Sequence, residues 1–192
     1  MRPLKQEAVG ARIRRLRTSA RMSLRTLASR TDFSPSFISQ VENGLASPSI
    51  ASMEKIAQAL GVTLGEFFAA VAESEGGRIV RASERPTLSS AWSHGTVEAL
   101  APVGGRRQLE PVLITLEAGG RSGKHPAARV REEFALVLDG EVSLTLGPDT
   151  HVLRAGDAAM IQPRELRVWV NNGASATRIL IVAVRSPFER AR

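Results

Sequence analysis

The chain has 192 residues, of which 43% are apolar and 23% are charged, and its net charge is +7. This length suits one large domain or two small ones, and the apolar content excludes wholesale disorder. The absence of cysteine excludes disulfides and thiolate metal sites, and no stretch approaches the ~18 apolar residues of a membrane span or resembles an export signal, so we expect a cytoplasmic protein.

Positive charge is concentrated at the start of the chain. Residues 1–30 contain nine lysine and arginine residues, opposed by Glu7 alone. A basic run of this kind is often only a solvated helix face, but it also suits a polyanionic partner such as duplex DNA. The motifs that follow favour DNA.

Residues 1–72 are predicted to be helical, because apolar residues recur there at helical spacing. Ser23 is placed to cap the second helix, Ser34 followed by Pro35 opens the third, and Gly44 ends it. A fourth helix follows over the apolar positions 53–60. These signals predict a compact, all-α domain.

A fifth helix is predicted at the end of this domain. Thr63 and Glu66 have the spacing of a capping box, and they precede Phe67 and Phe68. Residues 73–77 then break the helical pattern with two glycines and predict a linker.

Beyond the linker the apolar period changes to two, which is typical of strands. Short β-rich runs alternate with turns that contain Gly, Pro, Asn and Asp. They predict a single all-β domain over 78–192, either a barrel or a jelly roll. The predicted strands are 112–116, 134–138, 142–146, 158–161, 167–170 and 179–184.

The second and third helices, separated by a short turn at 32–34, have the geometry of a helix-turn-helix. If Ile38 and Val41 face the core, the third helix directs short or amide-bearing side chains outward. An amide can pair with adenine through two hydrogen bonds, and a hydroxyl can contact several bases. The outward residues are Pro35, Ser36, Ser39 and Gln40.

Residues 34–44, together with Pro48 and 56–60, closely resemble the phage-repressor-like (Cro/C1, or XRE) helix-turn-helix family. The resemblance implies a λ-repressor-like fold and a structural ion pair between Arg17 and Glu42. It places Ser36 and Gln40 on base edges, and Arg25, Asn43 and the backbone amides near Ser23 on phosphates. The full set of expected DNA-binding residues is Ser23, Leu24, Arg25, Ser34, Pro35, Ser36, Ser39, Gln40 and Asn43. A protein-docking module is the alternative, since some members of this family use the helices in that way.

The C-terminal half resembles a small cupin domain, through the glycine pair 119–120, the segments 132–133, 137–140 and 156–157, and Pro163, Asn171 and Gly173. Catalytic cupins hold a metal with three histidines and a glutamate. In this sequence the glutamate position falls on Glu133, but the histidine positions fall near Ala127 and Arg129 and on Arg167. His125 is nearby but out of register, and because one imidazole with one carboxylate is a poor metal site, we expect neither a metal nor another cofactor.

The residues at these positions predict a different cavity. If Glu133 points into the barrel, the strand period brings Arg167 and Trp169 inward as well. A guanidinium, a carboxylate and apolar walls suit a small polar or anionic molecule, with Arg167 as its main anchor. The alternatives are a zwitterionic amino acid or a polyamine held by Glu133, or an Arg167–Glu133 ion pair that only fills the barrel. The expected ligand-binding residues are Arg129, Glu133, Arg167 and Trp169, whereas His94, His125 and His151 are expected to be surface or loop residues.

Together these features predict a two-domain α + β protein, with a helix-turn-helix domain at 1–72 and a cupin-like sensor at 78–192. This combination resembles the XRE-cupin transcriptional regulators. We therefore expect a non-enzymatic regulator that binds double-stranded DNA as a homodimer and responds to a small-molecule effector. The alternatives are a metal-dependent cupin enzyme with an accessory DNA-binding domain and an antitoxin-like protein-binding module.

Overall fold

The computed structural model describes residues 6–64, 67, 79–102 and 108–184. Within those residues the N-terminal part contains four α-helices, none of which is long and apolar enough to cross a membrane. They are α1 (Gln6–Ser19), α2 (Leu24–Thr31), α3 (Pro35–Glu42) and α4 (Ile50–Ala59).

The predicted fifth helix is not confirmed. Leu64 and Phe67 are in helical conformation, but Glu66 and residues 68–78 lie outside the described part of the chain. Four helices are therefore established there, rather than five. The predicted linker at 73–77 also lies outside the described residues.

Side-chain caps begin the helices as the sequence predicted. Ser23 Oγ accepts a hydrogen bond from the backbone N–H of Thr26 at 3.0 Å, and Ser34 Oγ accepts one from Phe37 at 3.1 Å. Each cap satisfies one of the amide donors that a helix start leaves without a partner. Ser49 caps α4 in the same way through the N–H of Ser52.

The helices pack around a continuous apolar core. Gly10 allows α1 and α3 to approach closely, because a Cβ at this position would lie 2.3 Å from the carbonyl oxygen of Val41. A side chain there would push the two helices apart. The largest fully buried side chains in this core are Phe67, Ile13, Leu27, Ile38, Ile50, Met53 and Ile56.

The C-terminal part is a jelly roll of two antiparallel sheets. A 3-10 turn at Ala82–Glu84 precedes the strands. One sheet has the strand order β1-β2-β3-β10-β5-β8 and the other has the order β4-β9-β6-β7. The strands are β1 (Thr87–Ser90), β2 (Gly95–Ala99), β3 (Leu109–Leu116), β4 (Ala127–Ala128), β5 (Glu133–Asp139), β6 (Glu141–Leu146), β7 (Asp149–Arg154), β8 (Ala158–Ile161), β9 (Leu166–Val170) and β10 (Thr177–Val184). All six predicted strands are present.

Strand β5 shows how the sheet positions the interior of the barrel. Glu133, Ala135 and Val137 are buried, whereas Phe134 and Leu138 between them are exposed, as the two-residue period of a strand requires. On the facing sheet, Arg167 and Trp169 of β9 are almost completely buried. The predicted inward direction of these residues is confirmed.

Candidate functional sites

Helix α3 presents a polar face to solvent. Ile38 and Val41 are buried in the helical core, so the opposite side of the helix faces outward. Ser36 and Gln40 on that side are exposed, and Ser39 is half-buried. Because α3 is capped and packed on its apolar face, it presents these residues together on one side of the helix.

The other predicted DNA-binding residues lie around the same surface. Ser23, Arg25, Ser34, Pro35 and Asn43 are exposed, and Leu24 is half-buried at the first position of α2. The hydroxyl of Ser34 lies 2.9 Å from that of Ser36. Further exposed arginines of the helical domain are Arg14, Arg15, Arg21 and Arg30.

A buried ion pair joins α1 to the end of α3. The guanidinium of Arg17 donates to both carboxylate oxygens of Glu42, at 2.6 and 2.8 Å, and also to the carbonyl of Met22 at 2.9 Å. The hydrogen bond with Glu42 raises the pKa of Arg17, although burial opposes this shift. The predicted pairing of Arg17 with Glu42 is confirmed.

Sequence reasoning missed the role of Arg14 beside this pair. Arg14 Nε lies 3.3 Å from Glu42 Oε2, and Arg14 Nη2 donates to Asn43 Oδ1 at 2.7 Å. Asn43, an expected phosphate contact, is thus oriented by a neighbouring arginine. The only sequence signal for Arg14 was its place in the basic run.

Helix α4 docks end-on against the barrel. The N–H of Ile50 donates to Ser93 Oγ at 3.0 Å, and the N–H of Ala51 donates to the carbonyl of Ser122 at 2.8 Å. Ser90 Oγ also donates to the carbonyl of Pro48 at 2.7 Å. The barrel therefore supplies acceptors for two of the free amides at the start of α4, and these bonds hold the helix against the barrel.

A cavity of about 90 Å³ lies where α4 meets the mouth of the barrel. Both domains contribute to its walls, and charged residues of both signs are concentrated there. The described lining residues are Glu54, Gln58, Val62, Thr63, Leu64, Glu110, Val112, Arg129, Val130, Arg131, Glu133, Ile181 and Ala183.

Three arginines meet three carboxylates in and behind this cavity. Arg131 Nη1 donates to Glu110 Oε2 at 2.7 Å, and Arg167 Nε donates to Glu133 Oε2 at 2.6 Å. The third arginine, Arg129, forms an ion pair through Nη2 with Glu54 Oε2 of α4.

The guanidinium groups in this cluster are not fully satisfied. Among the described residues, Arg129 Nε and Arg167 Nη2 have no hydrogen-bond acceptor, although neither atom is accessible to water. Burial, together with the positive charge of Arg167, lowers the pKa of Arg129 to about 9, although the charge of Glu133 opposes this shift. The site thus holds positive charge that lacks acceptors.

The predicted ligand-binding residues have different positions relative to this cavity. Arg129 and Glu133 line it. Arg167 lies behind them, with Nη2 3.8 Å from Glu54 Oε1. Trp169 is buried in the barrel and is not among the described lining residues. Glu54 was missed, because on the sequence it is only a polar residue between core positions of α4.

The residues at the metal-ligand positions of cupins do not fit a metal ion. Ala127 pairs with Arg167 in the ladder between β4 and β9, and Arg129 follows directly after β4. An alanine and two arginines cannot replace three histidines. His94, His125 and His151 are exposed, and the described residues contain no group of three or more potential ligands of the His, Cys, Asp or Glu type.

Both domains match known protein families. The helix-turn-helix family HTH_3 matches residues 13–67, and the cupin family Cupin_2 matches residues 112–183. The chain is 28% identical over 177 residues to the HTH-type transcriptional regulator PuuR of Escherichia coli K12, which is 90% of this chain and 92% of the relative. It is 24% identical over 162 residues to the HTH-type transcriptional regulator SutR of the same organism, covering 84% and 85% of the two chains.

Solved structures show the same fold. The crystal structure of an HTH_3 family transcriptional regulator from Vibrio cholerae superposes with a TM-score of 0.74 at 23% identity, covering 95% of this chain and 97% of the other. The crystal structure of Fe(II) HppE has a TM-score of 0.50 at 19% identity and covers 94% and 100%. At these identities the likeness concerns the fold alone.

Proposed function

We propose that this chain is an XRE-type helix-turn-helix regulator with a C-terminal cupin domain, and that its DNA-binding domain responds to a small anionic effector bound at the barrel. One observation carries this proposal: α4 belongs to the DNA-binding domain and also closes the charged cavity of the barrel. A ligand in that cavity therefore contacts the helix-turn-helix unit directly.

Sequence-specific DNA binding is supported by the exposed face of α3. Gln40 is free to form paired hydrogen bonds with adenine in the major groove, and the hydroxyl of Ser36 suits a base edge beside it. Arg25 and the amides at the start of α2 are placed to bind phosphates. This division assigns sequence preference to α3 and overall affinity to the arginines.

An effector, rather than a metal, is supported by the arginines at the cavity. A guanidinium repels a cation but offers several donors to a carboxylate or phosphate. The Arg167–Glu133 pair expected by the barrel-filling alternative is present, but it leaves donors of Arg129 and Arg167 without acceptors. A ligand anion would supply these acceptors.

Homodimerisation is supported by the outer face of the larger sheet. Phe134 and Met160, which face each other across β5 and β8, are exposed at 37% and 53%, and Leu138 is exposed at 43%. An apolar sheet face of this kind suits an interface between two copies of the chain. Two copies would also present two α3 helices to a two-fold symmetric DNA site.

A role without catalysis follows from the same residues. A metal-dependent cupin enzyme is disfavoured because the ligand positions hold Ala127, Arg129 and Arg167. Elemental analysis of the purified protein tests this part. Stoichiometric iron, zinc or manganese that is lost in Glu133→Ala would establish a metal site and contradict the proposed anion cavity.

Selection of bound duplexes from a random DNA pool tests the main proposal. We expect a two-fold symmetric motif, which a dimer requires, with A·T pairs at the positions that Gln40 reads. Gln40→Ala should weaken binding to that motif by about 1–3 kcal/mol and relax its preference at those pairs, with little change in non-specific affinity.

Gln162→Ala is the matched control, because Gln162 is an exposed glutamine of the barrel domain, outside the helix-turn-helix. It should retain the wild-type motif and affinity. A protein that selects no motif, and whose binding to duplexes does not depend on salt, would instead favour the antitoxin-like, protein-binding alternative.

A further inference from the structure

We propose that the cavity between α4 and the barrel is a carboxylate-binding site, and that the side chain of Glu54 occupies its anion position until a carboxylate effector displaces it. This inference rests on the proposed effector response and specifies its chemistry. It makes the helix-turn-helix domain a competitor of the ligand for Arg129.

Without Glu54, the barrel's charged residues would leave one arginine without a negatively charged partner. The barrel contributes Arg129, Arg131 and Arg167 to the site, but only Glu110 and Glu133 among the described residues that line it. Arg131 is paired with Glu110, and Arg167 is paired with Glu133. Arg129 is therefore the positive charge that the barrel leaves over, and Glu54 of α4 neutralises it.

Arg129 needs a negatively charged partner because its side chain is buried. The side chains of Arg129 and Arg167 are exposed at only 11% and 2%. Removing one partner of a buried ion pair leaves a charge that neither water nor the protein solvates. Withdrawal of Glu54 thus requires another anion, and a ligand carboxylate provides the same group.

A ligand carboxylate beside Arg129 would compete with Glu54 for the same donors. Glu54 already reaches Arg129 with one oxygen and approaches Arg167 with the other, at 3.8 Å. Arg129 Nε and Arg167 Nη2 still lack hydrogen-bond acceptors. A mobile carboxylate can approach these donors more freely than a side chain fixed to α4.

Displacement of Glu54 would affect the DNA-binding domain through α4. The first turn of this helix is held on the barrel by the amides of Ile50 and Ala51, and Glu54 lies one turn further along. A ligand that competes with Glu54 favours the arrangement in which α4 is released. Because the ligand prefers one arrangement, its binding shifts the position of the DNA-binding domains.

The test uses the full-length chain and propionate, which has the same three-carbon carboxylate skeleton as the complete glutamate side chain. Glu54→Ala should have a lower melting temperature than the wild type, and propionate should restore it. Calorimetry should show that Glu54→Ala binds propionate at least tenfold more tightly than the wild type. Propylammonium, a cation of similar size, should not bind or stabilise either protein.

The controls separate this site from a general charge effect. Glu84→Ala removes an exposed carboxylate from the 3-10 turn and should bind propionate no better than the wild type. Glu54→Gln gives a second variant without the charge, should Glu54→Ala fail to fold. In the double variant Glu54→Gln, Arg129→Gln, which removes both partners, propionate binding should be lost.

Equal propionate affinity in the wild type and in folded Glu54 variants would overturn the proposal, and so would tighter binding of propylammonium. Affinity for the selected DNA motif, measured on the same samples, separates an error in the role of Glu54 from an error in the proposed function. If motif binding persists while propionate binding fails, only the role of Glu54 is wrong. If the wild type binds no DNA motif, the proposed function itself fails.

Discussion

Two buried arginine–glutamate contacts in this protein differ in a way that separates structure from ligand binding. In the helical domain, Arg17 makes two short hydrogen bonds to Glu42 and a third to the backbone of Met22. In the barrel, Arg129 and Arg167 face Glu54 and Glu133 but retain donors without acceptors among the described residues. In the first contact the arginine donors all have acceptors, whereas in the second some donors do not.

The pKa shifts of the two arginines express the same difference. Hydrogen bonding to Glu42 raises the pKa of Arg17, so the protein stabilises its charged form. Burial lowers the pKa of Arg129 to about 9. A complete ion pair stabilises the fold, whereas a buried charge that lacks acceptors marks a candidate binding site.

The largest effect is expected from breaking the complete pair. Arg17→Ala should lower the free energy of unfolding of the helical domain by about 3–5 kcal/mol, because it leaves the buried carboxylate of Glu42 without its main partner. Thermal unfolding followed by circular dichroism at 222 nm measures this. Arg15→Ala, an exposed neighbour in α1, is the control, and equal melting temperatures for Arg17→Ala and wild type would show that the pair is not structural.

A smaller effect is expected from replacing both partners of a barrel pair. Arg167→Met combined with Glu133→Leu should change the stability of the barrel by less than about 1 kcal/mol, since apolar residues of similar volume often replace a buried ion pair without loss. Binding of propionate should nevertheless weaken, because Arg167 no longer supports the anion position.

The fluorescence of Trp169, in a Trp92→Phe background, reports this unfolding, because Trp169 is buried in the barrel and the chain has only these 2 tryptophans. A loss of stability as large as that in Arg17→Ala would remove the distinction between the two sites and favour a purely structural Arg167–Glu133 pair.

The smallest effect on stability is expected at an arginine that belongs to neither cluster. Arg25 is exposed, so Arg25→Ala should change stability by no more than about 0.5 kcal/mol. If Arg25 binds a phosphate, the slope of log affinity against log salt should become shallower by about 0.9. Fluorescence anisotropy across a salt series measures the slope, with Arg178→Ala on the barrel as control; an unchanged slope would exclude Arg25 from the DNA interface.

Six of the ten strands in the described residues were predicted, and strands β1, β2, β4 and β7 were missed. Ser23 and Ser34 cap their helices as expected, because a cap depends on residues only three positions apart. Strand β7 was missed because it is largely exposed and shows no alternation of buried and exposed residues. Strand β4 was missed because two residues cannot display a period.

The sequence by itself determined the two domains, the polar face of α3, the Arg17–Glu42 pair and the absence of histidines at the cupin ligand positions. Each follows from residue types at fixed short spacings or from a family pattern. Only the tertiary structure decided that α4 docks on the barrel and that Glu54 meets Arg129. These residues come from different domains, and no local pattern specifies the packing that brings a surface carboxylate of one domain to a buried charge of the other.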